Sequence, residues 1–187
     1  MCRLSDERYE YIKKEVVHLF DCYGINCIPI NGFELAYKLG IRLVPYSTLA
    51  KSKREVAMDI SPDGFFLETT NEERIYFNVE KIDVNFARVN MTILHEIAHD
   101  VLGHTGQEEN ADIEEAEAKF FGKYAVAPPP LVHRLPVITQ DTIQDAFCLS
   151  ESAAYYAFSY YQKWLYYGKS DYLPYEERLL QLFPKVV

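Results

Sequence analysis

The sequence predicts an α+β protein, with a small antiparallel or mixed sheet beside one chemically distinctive helix and a small all-helical C-terminal region after it. Three observations predict this. The residues around His95 repeat their apolar positions with a helical period. The segments before them are short, β-rich and separated by turn residues, and beyond Pro128-Pro129-Pro130 only helical patterns remain. The predicted division is residues 1–128 for a mixed domain and 129–187 for a helical, helix-turn-helix-like region.

Residues 5–23 read as a helix because Tyr9, Ile12, Val16, Leu19 and Phe20 follow a helical period and Gly24 lies just past the end. Residues 32–39 read as a second helix, stopped by Gly40. Residues 42–46 form a short strand limited by Pro45, and residues 58–60 are expected to continue the sheet. Ser61-Pro62-Asp63-Gly64 is a turn. Residues 65–69 and 74–79 then read as a hairpin joined around Asn71-Glu72.

The next helix carries His95-Glu96-Ile97-Ala98-His99, the H-E-x-x-H pattern. Positions i and i+4 of a helix share one face, so both imidazoles can reach one metal ion, with Glu96 beside it as a general base. On a wheel of about 100° per residue, Thr92, Glu96, His99 and Gly103 cluster near His95. Ile93, Leu94, Ile97, Ala98, Val101 and Leu102 fill the other side. A catalytic zinc site takes a third protein ligand and leaves one position open. Residues 112–127 read as a helix in which Ile113, Phe120, Phe121 and Tyr124 form an apolar stripe containing Glu117. A carboxylate on a core-facing stripe is costly unless paired or bound to metal, so Glu117 is the expected third ligand and Glu114 the fallback. Glu115, Lys119 and Gly122 fall on the opposite, wetter side. His104 is a rival ligand; a place at the helix end or near the cleft suits it better.

The run from Arg88 to His99, followed by Glu117-Ala118-Lys119-Phe120-Phe121-Gly122 and Pro128, resembles the ImmA/IrrE family of metallopeptidases. That family's second motif has the form E-A-(N/D)-x-F-A and ends at a Pro some eleven residues after the Glu, a spacing that Glu117 and Pro128 keep. Lys119 and Gly122 depart from it, standing where Asn or Asp and Ala are usual. Residues 33–41 resemble the family's early helix leading into a strand. The resemblance implies a zincin-like catalytic domain holding Zn2+ on His95, His99 and Glu117, with Glu96 as the base. It also implies a protein substrate, a helix-turn-helix repressor of stress response or of a mobile element. Tyr76 and His104 are the candidates for oxyanion stabilisation.

Pro128-Pro129-Pro130 is the clearest boundary. Beyond it, residues 141–147 form a helix with Asp141 at its N-cap, and residues 147–154 resemble a helix-turn-helix corner with Ser150 capping the second helix. That helix, residues 150–167, is crowded with aromatics on more than one face, as expected if some meet a partner and the others are buried. Residues 174–183 form a last amphipathic helix.

A chain of 187 residues, 49% hydrophobic, can bury one good core. Its formal charge of -9 argues against nucleic acid as a direct partner, because phosphate binding needs basic surface. Apolar runs are too short to span a membrane and the N-terminus has no apolar signal core, so a cytoplasmic location is expected. Cys2, Cys22, Cys27 and Cys148 show no disulfide framework and are expected to be reduced and mostly buried. Two other readings compete with peptide hydrolysis: an anti-repressor that keeps the metal for structure and acts by sequestration, and a DNA-binding regulator working through residues after Pro130.

Overall fold

A computed structural model describes residues 3–70, 72–79, 86–168 and 171–185. Asn71, expected at the hairpin tip, and Cys2 lie outside the described residues. The chain is α+β, and its contacts divide it into two compact units, Met1–Leu4 with Asn31–Gly122 and Ser5–Ile30 with Lys123–Val187. This differs from the expected boundary at 128, because the first helix belongs with the C-terminal helices.

The first unit is built around a three-stranded mixed sheet. Its strands are β1 (Arg42–Pro45), β2 (Gly64–Glu68) and β3 (Glu73–Phe77), in the order β1-β3-β2. β1 runs parallel to β3 and β2 antiparallel to it, with Phe66 opposite Ile75. The expected hairpin is present within a residue or two at each end. Residues 58–60 do not extend the sheet; they finish a helix, α3 (Lys51–Ile60). Its only buried residue is Ala57, and the Arg54 guanidinium donates to the carbonyls of Tyr46, Ser47 and Leu49, which ties the helix to the short 3-10 turn before it. The Ser61 hydroxyl accepts from Gly64 N at 3.1 Å and closes the turn into β2.

Two further helices of this unit are α2 (Gly32–Leu39) and α4 (Phe86–Val101), the latter carrying the H-E-x-x-H pattern. Ile93, Leu94 and Ile97 of α4 are fully buried, as the apolar face requires. Asn90 Oδ1 accepts from Gly32 N at 2.6 Å, fixing α4 to the start of α2. A Cβ on Gly64 would lie 2.8 Å from Thr92 Cγ2, so β2 begins in close contact with α4. Next comes α5 (Ala111–Val126), whose last turn belongs to the second unit.

In the second unit, α1 (Asp6–Tyr23) packs against α9 (Pro174–Leu182). Phe20 meets Phe183 edge to face, Tyr175 donates to Glu10 at 2.8 Å, and Arg178 pairs with Asp21. The prolines after α5 do more than end it: Pro129 and Pro130 occupy the first positions of a one-turn helix, α6 (Pro129–Val132), where a missing N–H costs nothing. In α7 (Gln140–Phe147) the N-cap is Thr139, not Asp141; its hydroxyl accepts from Thr142 N, and the Thr142 hydroxyl accepts from Thr139 N. Cys148 turns the chain at φ 53°, and Ser150 caps α8 (Glu151–Tyr167), which forms the expected helical corner. Of the α8 aromatics, Tyr161 is buried while Tyr155, Tyr166 and Tyr167 are exposed. Cys22, Cys27 and Cys148 are free and exposed, contrary to the expected burial. Among the described residues, no helix is long and apolar enough to cross a membrane.

Candidate metal centre

The i, i+4 spacing on α4 brings the two imidazoles together with Nε2 of His95 and Nε2 of His99 3.2 Å apart. The third group at this point is Glu115. Its Oε1 lies 3.6 Å from His95 Nε2 and 3.4 Å from His99 Nε2. Zinc bonds of about 2.0–2.2 Å in tetrahedral geometry place two ligand atoms about 3.3–3.6 Å apart. The separations of 3.2, 3.4 and 3.6 Å are close to the edges of such a face, so the three donors could hold one metal ion. Among the described residues, His95, His99 and Glu115 are the one cluster of this kind.

The expected third ligand, Glu117, is placed differently. Its Oε2 lies 3.0 Å from His104 Nε2, and both side chains are almost fully buried. Burial of a carboxylate does require a partner; here the partner is a histidine. Glu114, the fallback, accepts from Thr105 N and Gly106 N, each at 3.0 Å, and so holds the loop between α4 and α5. Burial pushes its carboxyl upward, but these amide bonds outweigh that and leave it below its ordinary value.

The small face of α5 explains why Glu115 reaches the histidines. Ala118 and Gly122 follow Glu115 at i+3 and i+7, on one side of the helix. Gly122 is buried, and a Cβ there would lie 3.0 Å from Met91 Sδ and 3.7 Å from His95 N. The close approach of α5 to α4 therefore runs along the side expected to be wet. Ile113, expected in the core stripe, is 44% exposed. The other oxygen of Glu115, Oε2, takes the Lys119 ammonium at 3.3 Å, which leaves Oε1 for the histidines.

The protonation states suit ligation. Burial lowers the His95 pKa, against the opposing pull of Glu115. Burial and the neighbouring His95 and His104 rings lower that of His99 to about 4, so both shifts favour the neutral, ligating form of the ring. Glu115 sits below its ordinary value because His95 and Lys119 outweigh its desolvation. Glu96 stands outside the donor triangle, 7% exposed, its Oε2 accepting from Phe66 N of β2 at 2.9 Å. Desolvation raises its pKa to about 8, opposed by that amide bond and reinforced by the charge of Glu115.

Both ring nitrogens of His104 are engaged, with His99 Nδ1 at 2.9 Å and with Glu117, so the ring has no free atom for a substrate oxyanion. The Tyr76 ring stacks on Phe65 and its hydroxyl accepts from Arg74 at 3.1 Å. Comparisons with family models, curated proteins and solved structures give no significant match to this chain.

Proposed function

We propose that this chain is a zinc-dependent endopeptidase of the zincin type, related in kind to the ImmA/IrrE metallopeptidases that its motifs resemble. The observation that carries the reading is the convergence of His95 Nε2, His99 Nε2 and Glu115 Oε1 at tetrahedral spacing, with Glu96 beside them rather than among them. A purely structural zinc site fills all four positions with protein and has no use for an adjacent base.

When bound, the ion supplies Lewis-acid activation of water and of the scissile carbonyl. Glu96 takes the proton from the attacking water and returns it to the leaving nitrogen. His95, His99 and Glu115 would hold the ion, and Lys119 orients Glu115. β2 is an edge of the three-stranded sheet, where an extended peptide would pair by strand addition. The Phe66 N–H faces away from β3 and donates to Glu96. A peptide laid along β2 therefore passes beside Glu96. The substrate class proposed is a helix-turn-helix repressor.

The test is incubation of the zinc-loaded protein with the repressor encoded beside its gene, with Glu96→Gln in parallel. Discrete fragments from the wild type alone support the reading. Equal binding by both proteins without cleavage replaces it with sequestration.

A further inference from the structure

We propose that His104 and Glu117 are positioning residues that fix the tautomer of His99, and through it the nitrogen that faces the metal site. The inference deepens the zinc reading above and rests on it for its functional meaning. Three side chains form a line: Glu117 Oε2 to His104 Nε2 at 3.0 Å, then His104 Nδ1 to His99 Nδ1 at 2.9 Å.

The direction of the hydrogen bonds follows from the carboxylate end. A carboxylate only accepts, so His104 Nε2 carries the proton and donates. With one N–H on His104, its Nδ1 accepts and His99 Nδ1 donates to it. That leaves the lone pair of His99 on Nε2, the atom that meets His95 Nε2 and Glu115 Oε1. The reverse order would need a protonated Glu117 or a second N–H on His104, and would place the N–H of His99 at the point where the donors converge. Metal-bound histidines are commonly oriented by a carboxylate or carbonyl on the other nitrogen. Here a second imidazole stands between the ligand and the carboxylate.

The relay is held by the backbone independently of any ion. Gly103 adopts φ 66°, the left-handed conformation that lets the chain reverse after α4, and His104 N donates to His99 O at 2.9 Å. Glu114 then anchors Thr105 and Gly106 from α5. The side chains of His104 and Glu117 are 4% and 6% exposed, so water does not compete for the two bonds.

The experiment reads the tautomers directly, by long-range proton–nitrogen NMR of 15N-labelled wild-type protein, both metal-free and zinc-loaded. His99 is expected to carry its proton on Nδ1 and His104 on Nε2 in both forms. A metal-free protein with His99 protonated on Nε2 overturns the proposal. Zinc affinity by chelator competition is then compared for Glu117→Gln and His104→Phe. The expected loss is about 10–100-fold with one zinc still bound per chain. Wild-type affinity in both variants overturns the relay, as does complete loss in Glu117→Gln with none in Glu115→Ala, which would make Glu117 a ligand. A wild-type protein that binds no zinc sinks the metal reading, while the metal-free spectra still decide the tautomer. The wild-type spectra also decide it if either variant fails to fold.

Discussion

Glu115 Oε1 stands 3.4 Å from Nε2 of His99, while Glu115 Oε2 takes the ammonium of Lys119. The two oxygens have separate partners, so Glu115 offers the site one oxygen and a full negative charge. Replacing Glu115 with Gln keeps the shape and removes the charge. Zinc affinity is expected to fall by more than the roughly 10–100-fold that loss of an outer-shell partner costs. Chelator competition checks it, and an unchanged affinity contradicts the assignment.

Gly122 allows the close approach of α5 to α4, and the size of a replacement decides its effect. For Gly122→Ala, a helical Ala gains about 1 kcal/mol over Gly, against a Cβ 3.0 Å from the adaptable thioether of Met91. The result is expected to be near neutral in thermal unfolding. Gly122→Leu must push α5 outward, costing about 1–3 kcal/mol as overpacking does, and should weaken zinc binding as Glu115 retreats from the histidines. Full zinc affinity in the Leu variant would contradict the role given to this contact.

His95, Glu96 and His99 are legible in the sequence because a single helix fixes their geometry, and a wheel suffices to place them. The third member of the cluster depends on how two helices approach, and the apolar stripe of Phe120, Phe121 and Tyr124 draws attention to Glu117 instead. Glu117 is buried, as that stripe implies, but its partner His104 lies in a turn that no periodicity describes. The signal in the sequence is the pair of small residues Ala118 and Gly122 in register with Glu115, a mark of close packing between helices. α3 is not legible for a related reason. Its last residues, Met58 to Ile60, look strand-like when read apart from the helix they end. The hairpin, the capped helices α1, α2 and α8 and the corner at Cys148 are set by local chemistry and were readable.

Asn90 couples the start of α2 to the helix that bears the histidines. Its side-chain oxygen accepts from Gly32 N at 2.6 Å in a buried setting. Asn90→Leu leaves that amide without this acceptor, at an expected cost of about 1–3 kcal/mol. Urea unfolding should show a lower midpoint with an unchanged slope. An unaffected midpoint would mean that the bond adds nothing.

Glu10 supplies a pH dependence in the second unit. Burial pushes its carboxyl up, but hydrogen bonds from Lys13 and Tyr175 outweigh this and leave it below the ordinary 4.5. A carboxyl whose pKa is lower in the folded protein stabilises it above the unfolded value, and that contribution is lost as pH falls through the folded value. Wild-type stability should therefore drop more steeply below pH 4.5 than that of Glu10→Gln. Parallel acid limbs in chemical unfolding would contradict this.

The central claim, a zinc ion held by His95, His99 and Glu115, is tested most directly by anomalous diffraction at the zinc edge from crystals of the zinc-loaded protein. The expected map has a single peak about 2.0–2.2 Å from Nε2 of His95, Nε2 of His99 and Oε1 of Glu115, with Glu117 still on His104. A peak bonded to Glu117 or His104, or no peak at the histidine pair, would contradict it.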